Sequence, residues 1–137
     1  MDKKFIAKSL LIWLSITPLA ILNGALREAL LLPALGAAAY PVSGALLALC
    51  VFIVSYLFIP RLGVASKQTF IKTGIVWVIA TLIFETLLGL AMGASFAEIL
   101  SAYHICTGNL WLLIVILIGF IPIIIANMRK LIAREEG

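Results

Sequence analysis

The sequence predicts an all-α membrane protein: a four-helix transmembrane bundle with a short interfacial helix between the third and fourth spans. Three observations carry that expectation. Of 137 residues, 64% are hydrophobic and 12% are charged, where soluble domains carry about 25% charged residues. The mean hydropathy is +1.23. Four apolar runs each approach the length of about 20 residues that a helix needs to cross a hydrocarbon core, with the basic residues clustered between them. The reading is one transmembrane domain over residues 1–137, with no room for a separate soluble one.

The first span runs from Ser9 to about Leu26. It resembles a secretory signal at its start, but its apolar stretch exceeds the about 7–15 residues of such a signal. Asn23-Gly24-Ala25 makes a poor cleavage site, so the span is read as retained. The second span covers Pro41 to Ile59, with Ser43, Gly44, Ala48 and Ser55 as a small-residue surface. The third runs from about Thr73 to Met92, and the fourth from Asn109 to about Asn127. Pro18 and Pro122 lie inside spans, where each removes a backbone hydrogen bond and favours a kink. Ala29 to Gly36, apolar but too short to span, reads as an interfacial or re-entrant piece.

In the third span Thr81, Glu85, Gly89 and Gly93 recur every four residues, and Gly89–Gly93 forms a GxxxG. Small residues let helices approach closely in lipid, so this face is expected to pack on protein and to carry Glu85 inward. Before the fourth span, Ser95 and Glu98 make an S-x-x-E capping box. Phe96, Ile99, Leu100 and Tyr103 then share one face. A helix over about 96–104 is expected on the outer surface, ended by Gly108, with Tyr103 and His104 forming a partial lid.

Orientation follows from Lys and Arg. Lys3, Lys4 and Lys8 precede the first span; Arg61, Lys67 and Lys72 separate the second and third; Arg129, Lys130 and Arg134 follow the fourth. All nine fall on one side of a four-span topology. Both termini are therefore expected in the cytoplasm, and the protein in a bacterial inner membrane. Trp77, Tyr40 and Trp111 fall near span ends, as interfacial aromatics. This spread of basic residues between apolar runs argues against nucleic acid as a partner despite the net charge of +4.

Arg27 breaks the pattern and is the most informative residue. It lies at the outer end of the first span, where a helical side chain leans back toward the N-terminus and so into the membrane. Glu85 is the one carboxylate well inside a span, and an unpaired charge there costs at least about 2.5–3.5 kcal/mol. Asn23 and Arg27 share one face and Gly24 and Glu28 another. Asn23, Arg27, Glu28 and Glu85 form the candidate ligand or ion-pair cluster. Glu28 is expected to face water. His104, the sole histidine, and the cysteines Cys50 and Cys106 have no metal-ligand spacing, so no metal and no cofactor are expected.

The motifs N-G-x-x-R-E at Asn23 to Glu28, F-E-x-x-x-G at Phe84 to Gly89, S-F-A-E-I-L-S-A-Y at Ser95 to Tyr103 and G-N-L-W at Gly108 to Trp111 occur in that order. With them the chain resembles a group of small four-helix bacterial inner-membrane proteins. The resemblance implies the topology and brings no activity, so the catalytic assignment stays unknown. Three functions fit the residues. One is a membrane protein that binds a small ligand, a lipid headgroup or a partner protein through the outward cluster. Another is a small proton-coupled transporter using Glu85, which requires a homodimer because one four-span protomer offers a narrow path. The third is an outer-leaflet enzyme using Glu28, Tyr103 and His104.

Overall fold

The computed structural model describes residues 3–101 and 111–134, with no side chain described at 99–101 or 111. These residues are almost wholly helical. Helix α1 is Lys3–Leu26, α2 Leu32–Leu35, α3 Ala39–Phe58, α4 Lys67–Ala91, α5 Phe96–Ser101 and α6 Trp111–Met128. The helical runs Lys3–Leu62 and Lys67–Ala91 are long and apolar enough to cross a membrane, and Leu112–Met128 is apolar but shorter. Both α1 and α4 begin several residues before the apolar runs. For α4 the reason is local: Ser66 is its N-cap, its Oγ accepting from the Thr69 N–H at 3.2 Å.

The run Lys3–Leu62 folds back on itself. After α1 the chain makes one wide π-type turn over Arg27–Leu31, in which the Leu32 N–H reaches back five residues to the Arg27 carbonyl. Pro33 follows, with no N–H to extend an α ladder. Gly36 then takes φ 61°, which a residue with a Cβ adopts only with strain, and the chain reverses into α3. Thus the apolar piece after Glu28 is a helical hairpin tip.

Helix α1 packs on α3, α3 on α6, α6 on α4, and α4 touches α1. Ring and hydrogen-bond pairs fix their directions. Phe5 meets Phe70 edge-on with centroids 5.3 Å apart, and Trp13 meets Phe84 at 6.3 Å. Positions therefore rise together along α1 and α4, so the two are parallel, as the span order requires. Gly74 faces Gly119 while Ala65 pairs with Ile132, so α4 and α6 are antiparallel.

The α4–α6 seam depends on those two glycines. A Cβ on Gly74 would stand 2.0 Å from the Gly119 carbonyl oxygen, and one on Gly119 would stand 2.8 Å from Val78 Cγ2. The backbones touch with no side chain between them. The expected GxxxG does not make this contact. Gly93 lies beyond the end of α4 at φ 86°, and a Cβ there would meet nothing within 4 Å. Its N–H donates to Leu90 O at 3.1 Å and the Ala94 N–H to Gly89 O at 3.0 Å. These two bonds form a Schellman cap, a helix-ending use of glycine.

A second cap closes α6. Lys130 takes φ 55°, with the Lys130 N–H on Asn127 O at 3.4 Å and the Leu131 N–H on Ala126 O at 2.8 Å. The tail it redirects is clipped to the α3–α4 connection: the Ala65 N–H donates to Leu131 O at 3.1 Å and the Ala133 N–H to Ala65 O at 2.8 Å. Arg129 stacks on Tyr56, 4.6 Å from the ring centroid. These contacts gather the connections bearing Arg61, Lys67, Arg129, Lys130 and Arg134 at one end of the helices. The Phe5–Phe70 contact brings the three N-terminal lysines and Lys72 there too.

Small polar side chains are buried within the apolar core, and large apolar ones cover much of the surface. Ser9, Ser43, Ser55, Thr73 and Thr81 are buried, while Leu11, Leu14, Leu49, Ile75, Ile83 and Leu87 stand out on the surface. Trp77, expected at an interface, is fully buried among Phe70, Ile121 and Ile125. Its position near the end of the apolar run is offset by the extra turns that α4 gains at Lys67, which put Trp77 well inside the helix.

The glycine seam makes an asymmetric prediction. Gly74→Ala drives a methyl into backbone and is expected to destabilise the fold by about 1–3 kcal/mol or more. Gly119→Ala meets only a side-chain methyl of Val78 and is expected to cost less. Thermal unfolding of both variants in detergent checks the order, and equal losses would refute it.

Candidate functional site

The four residues of the outward cluster separate into three settings. Asn23, near the C-terminal end of α1, is buried and serves as a clamp. Its Nδ2 donates to Ser43 O at 3.1 Å, and the Ser43 Oγ donates to Asn23 Oδ1 at 2.6 Å. This reciprocal pair ties the end of α1 to the start of α3 across the hairpin. In an apolar setting two satisfied amide and hydroxyl groups hold a fixed register.

Arg27 and Glu28 form the second setting, at the rim. Arg27 Nε lies 3.4 Å from Glu28 Oε1, with side-chain exposures of 32% and 63%. An exposed pair of this kind is worth about 0–1 kcal/mol. The guanidinium also lies 5.7 Å from the Tyr40 ring centroid, and its Nη2 leans back over Gly24. So Arg27 does lean toward the N-terminus, as helix geometry requires. It ends on its neighbour Glu28 rather than on Glu85. Glu28 is exposed.

Glu85 forms the third setting. It lies six residues below the end of α4, about 9 Å of helix rise. It is half-buried and lines a cavity on the axis of the helices. All four long helices contribute to the wall: Trp13 and Thr17 from α1, Val51 from α3, Thr81 from α4 and Ile118 from α6. The volume open to a water-sized sphere is about 30 Å³, room for about two water molecules. Among the described residues no ion pair reaches the Glu85 carboxylate. Arg27 acts on it only as a charge at a distance.

One turn below Glu85 two of the lining residues, Trp13 and Thr81, are bonded to each other. Trp13 Nε1 donates to Thr81 Oγ1 at 2.9 Å, and Thr81 Oγ1 donates to Trp77 O at 2.8 Å. Beneath lie Trp77, Phe70 and Phe5, all buried. Sequence reading placed Thr81 and Glu85 on one face and had no reason to single out Trp13. The signal available was weak: a tryptophan mid-span carries an N–H that must find an acceptor in an apolar interior.

Of the remaining candidates, Gly89 is half-buried near the end of α4 and Gly93 is its cap. The capping box does start α5 at Phe96, the Glu98 N–H donating to Ser95 Oγ at 3.2 Å. Tyr103, His104, Cys106 and Gly108 lie outside the described residues, and with them the lid and the catalytic reading that used it. Cys50 is a half-buried free thiol. Among the described residues no group of three His, Cys, Asp or Glu gathers to hold a metal.

Compared with known proteins, the chain matches no family model, no curated protein and no solved structure.

The clamp makes a coupled prediction. Asn23→Ala strands the buried Ser43 hydroxyl, and Ser43→Ala strands Asn23 Oδ1 while keeping the Nδ2 bond to the backbone carbonyl, each at about 1–3 kcal/mol. The double variant is expected to lose less than the sum, by about 0.5–3 kcal/mol. A double-mutant cycle from thermal unfolding measures the difference, and strict additivity would show that the pair is not a unit.

Proposed function

We propose that this chain is a small polytopic inner-membrane protein, a four-helix transmembrane bundle with both termini in the cytoplasm, of the group that its N-G-x-x-R-E and F-E-x-x-x-G motifs resemble. Its working site is the axial cavity at Glu85, which takes up a small cation from the outer side. The membrane reading is supported by apolar surface: the most apolar windows of the two spanning runs are only 28% and 17% buried. A core helix of a soluble protein would be mostly covered. It is supported also by the nine basic residues gathered at one end of the helices, with Arg27 alone at the other.

The observation that carries the site is the setting of Glu85 itself: a half-buried carboxylate on the helix axis, in no ion pair among the described residues, with room beside it for a small guest. Ionisable groups inside membrane helices mark ion and proton pathways. The rim pair Arg27–Glu28 is the weaker candidate for ligand capture, because each already holds the other's charge. Movement of the guest across the bilayer requires opening the floor at Trp13–Thr81, and we propose a homodimer as the working unit, since one protomer encloses only a water-sized path.

Two measurements test this. With Cys50 and Cys106 replaced by Ser, a single cysteine at Glu28 is expected to be labelled only from outside, and one at Lys67 only from inside, in right-side-out vesicles. In proteoliposomes the wild type is expected to dissipate an imposed proton or monovalent-cation gradient. Glu85→Gln is expected to abolish that flux while unfolding no earlier than wild type, because it removes a desolvated charge. Full flux in Glu85→Gln would overturn the site.

A further inference from the structure

We infer that the guest at Glu85 is a proton, reached through the water-sized void beside the carboxylate, rather than a hard divalent metal ion. This rests on the reading of the axial cavity as the working site and narrows the occupant by the chemistry of its walls.

The void beside Glu85 measures about 30 Å³, space for about two waters. The donor set removes the hard metal ions. A hard divalent cation takes about six oxygen ligands. Among the described lining residues the side-chain oxygens are those of Glu85, Thr17 and Thr81. The Thr81 hydroxyl is engaged twice, accepting from Trp13 Nε1 and donating to Trp77 O. Thr17 Oγ1 donates to Trp13 O at 3.4 Å. One carboxylate therefore remains with oxygens free, set against the apolar Ile16, Ala20, Leu47, Val51 and Ile118. A lone carboxylate facing a two-water pocket suits a proton. A hydronium in the cavity gives its proton to a Glu85 oxygen and leaves as water, and the reverse step returns it.

Among the described residues the neighbouring charges are few. From the π-type turn after α1, Arg27 acts across space and Glu28 is paired to it. From α3, Tyr40 sits under Arg27, and Cys50 does not line the cavity. Helix α6 has no ionisable residue over Trp111–Met128. On α4 the lysines Lys67 and Lys72 are more than a dozen residues away at the other end, and α5 brings the exposed Glu98.

The test is infrared titration of the purified, detergent-solubilised protein. A protonated carboxyl gives a C=O band separate from amide and carboxylate bands. Such a band is expected to grow on acidification in the wild type, to be missing in Glu85→Gln and to shift in Glu85→Asp, which guards against a Gln variant that fails to fold. Sodium, potassium or tetramethylammonium chloride, exchanged at constant ionic strength, is expected to leave the titration midpoint in place. A tenfold displacement of that midpoint by one of these cations would overturn the proton assignment and leave Glu85 as the site of that cation. A titration identical in wild type, Glu85→Gln and Glu85→Asp would overturn the site itself.

Discussion

The backbone contact of Gly74 with Gly119 sets how far α4 stands from α6, and the interior is arranged around that spacing. With no Cβ on either side, the helices close until Val78 touches Gly119. Residues Thr81 and Glu85 lie about two and three turns above Gly74 on nearly the same face of α4. The glycine that draws α4 against α6 thus also aims the threonine and the carboxylate at the axis. Trp77, less than one turn above Gly74, is buried by the same approach. A larger residue at position 74 would move more than one contact, since cavity, floor and core share this face.

Polar groups inside an apolar shell need partners from within the protein, and most of these are paired. Ser9 donates to Ile6 O at 2.7 Å and Thr73 to Thr69 O at 2.8 Å, each within its own helix. Asn23 with Ser43 and Trp13 with Thr81 cross between helices. The within-helix bonds cost nothing in arrangement. The between-helix bonds hold register, one at the outer end of α1–α3 and one midway along α1–α4. Two buried atoms, Ser55 Oγ and Trp77 Nε1, have no partner among the described residues. Each such group costs about 1–3 kcal/mol, which makes the half of the core around Ser55 and Trp77 the place where packing, and not hydrogen bonding, holds the helices.

The sequence made the helices, their order and the gathering of nine basic residues legible, because hydrophobic run length and Lys/Arg placement are local quantities. The Ser95–Glu98 cap was legible for the same reason. What failed to show was pairing across helices. Gly89 and Gly93 fit a packing motif by spacing alone, yet the helix ends at Ala91, and spacing does not reveal where a helix stops. Gly74 and Gly119 match no period, since each works only against the other. Asn23 shares a face with Arg27 as its spacing says, but its partner is Ser43, twenty residues on. The Arg27–Glu85 pairing was suggested by opposite charge at similar depth. Glu28, the adjacent residue, lies within closer reach of Arg27, and adjacency prevails.

That outcome bears on how Glu85 works. An Arg27–Glu85 bond in a medium of low dielectric would hold the carboxylate ionised and fill its free oxygens, and a guest would then have to displace a guanidinium. Held at the rim by Glu28 and Tyr40, Arg27 instead acts from a distance and leaves the oxygens of Glu85 open to the cavity. For the proposed uptake, a site that binds and releases needs a partner weak enough to exchange, and a charge without contact would meet that need where a locked pair would not. The exposed Arg27–Glu28 bond, worth little for stability, matters because it keeps the guanidinium out of the cavity.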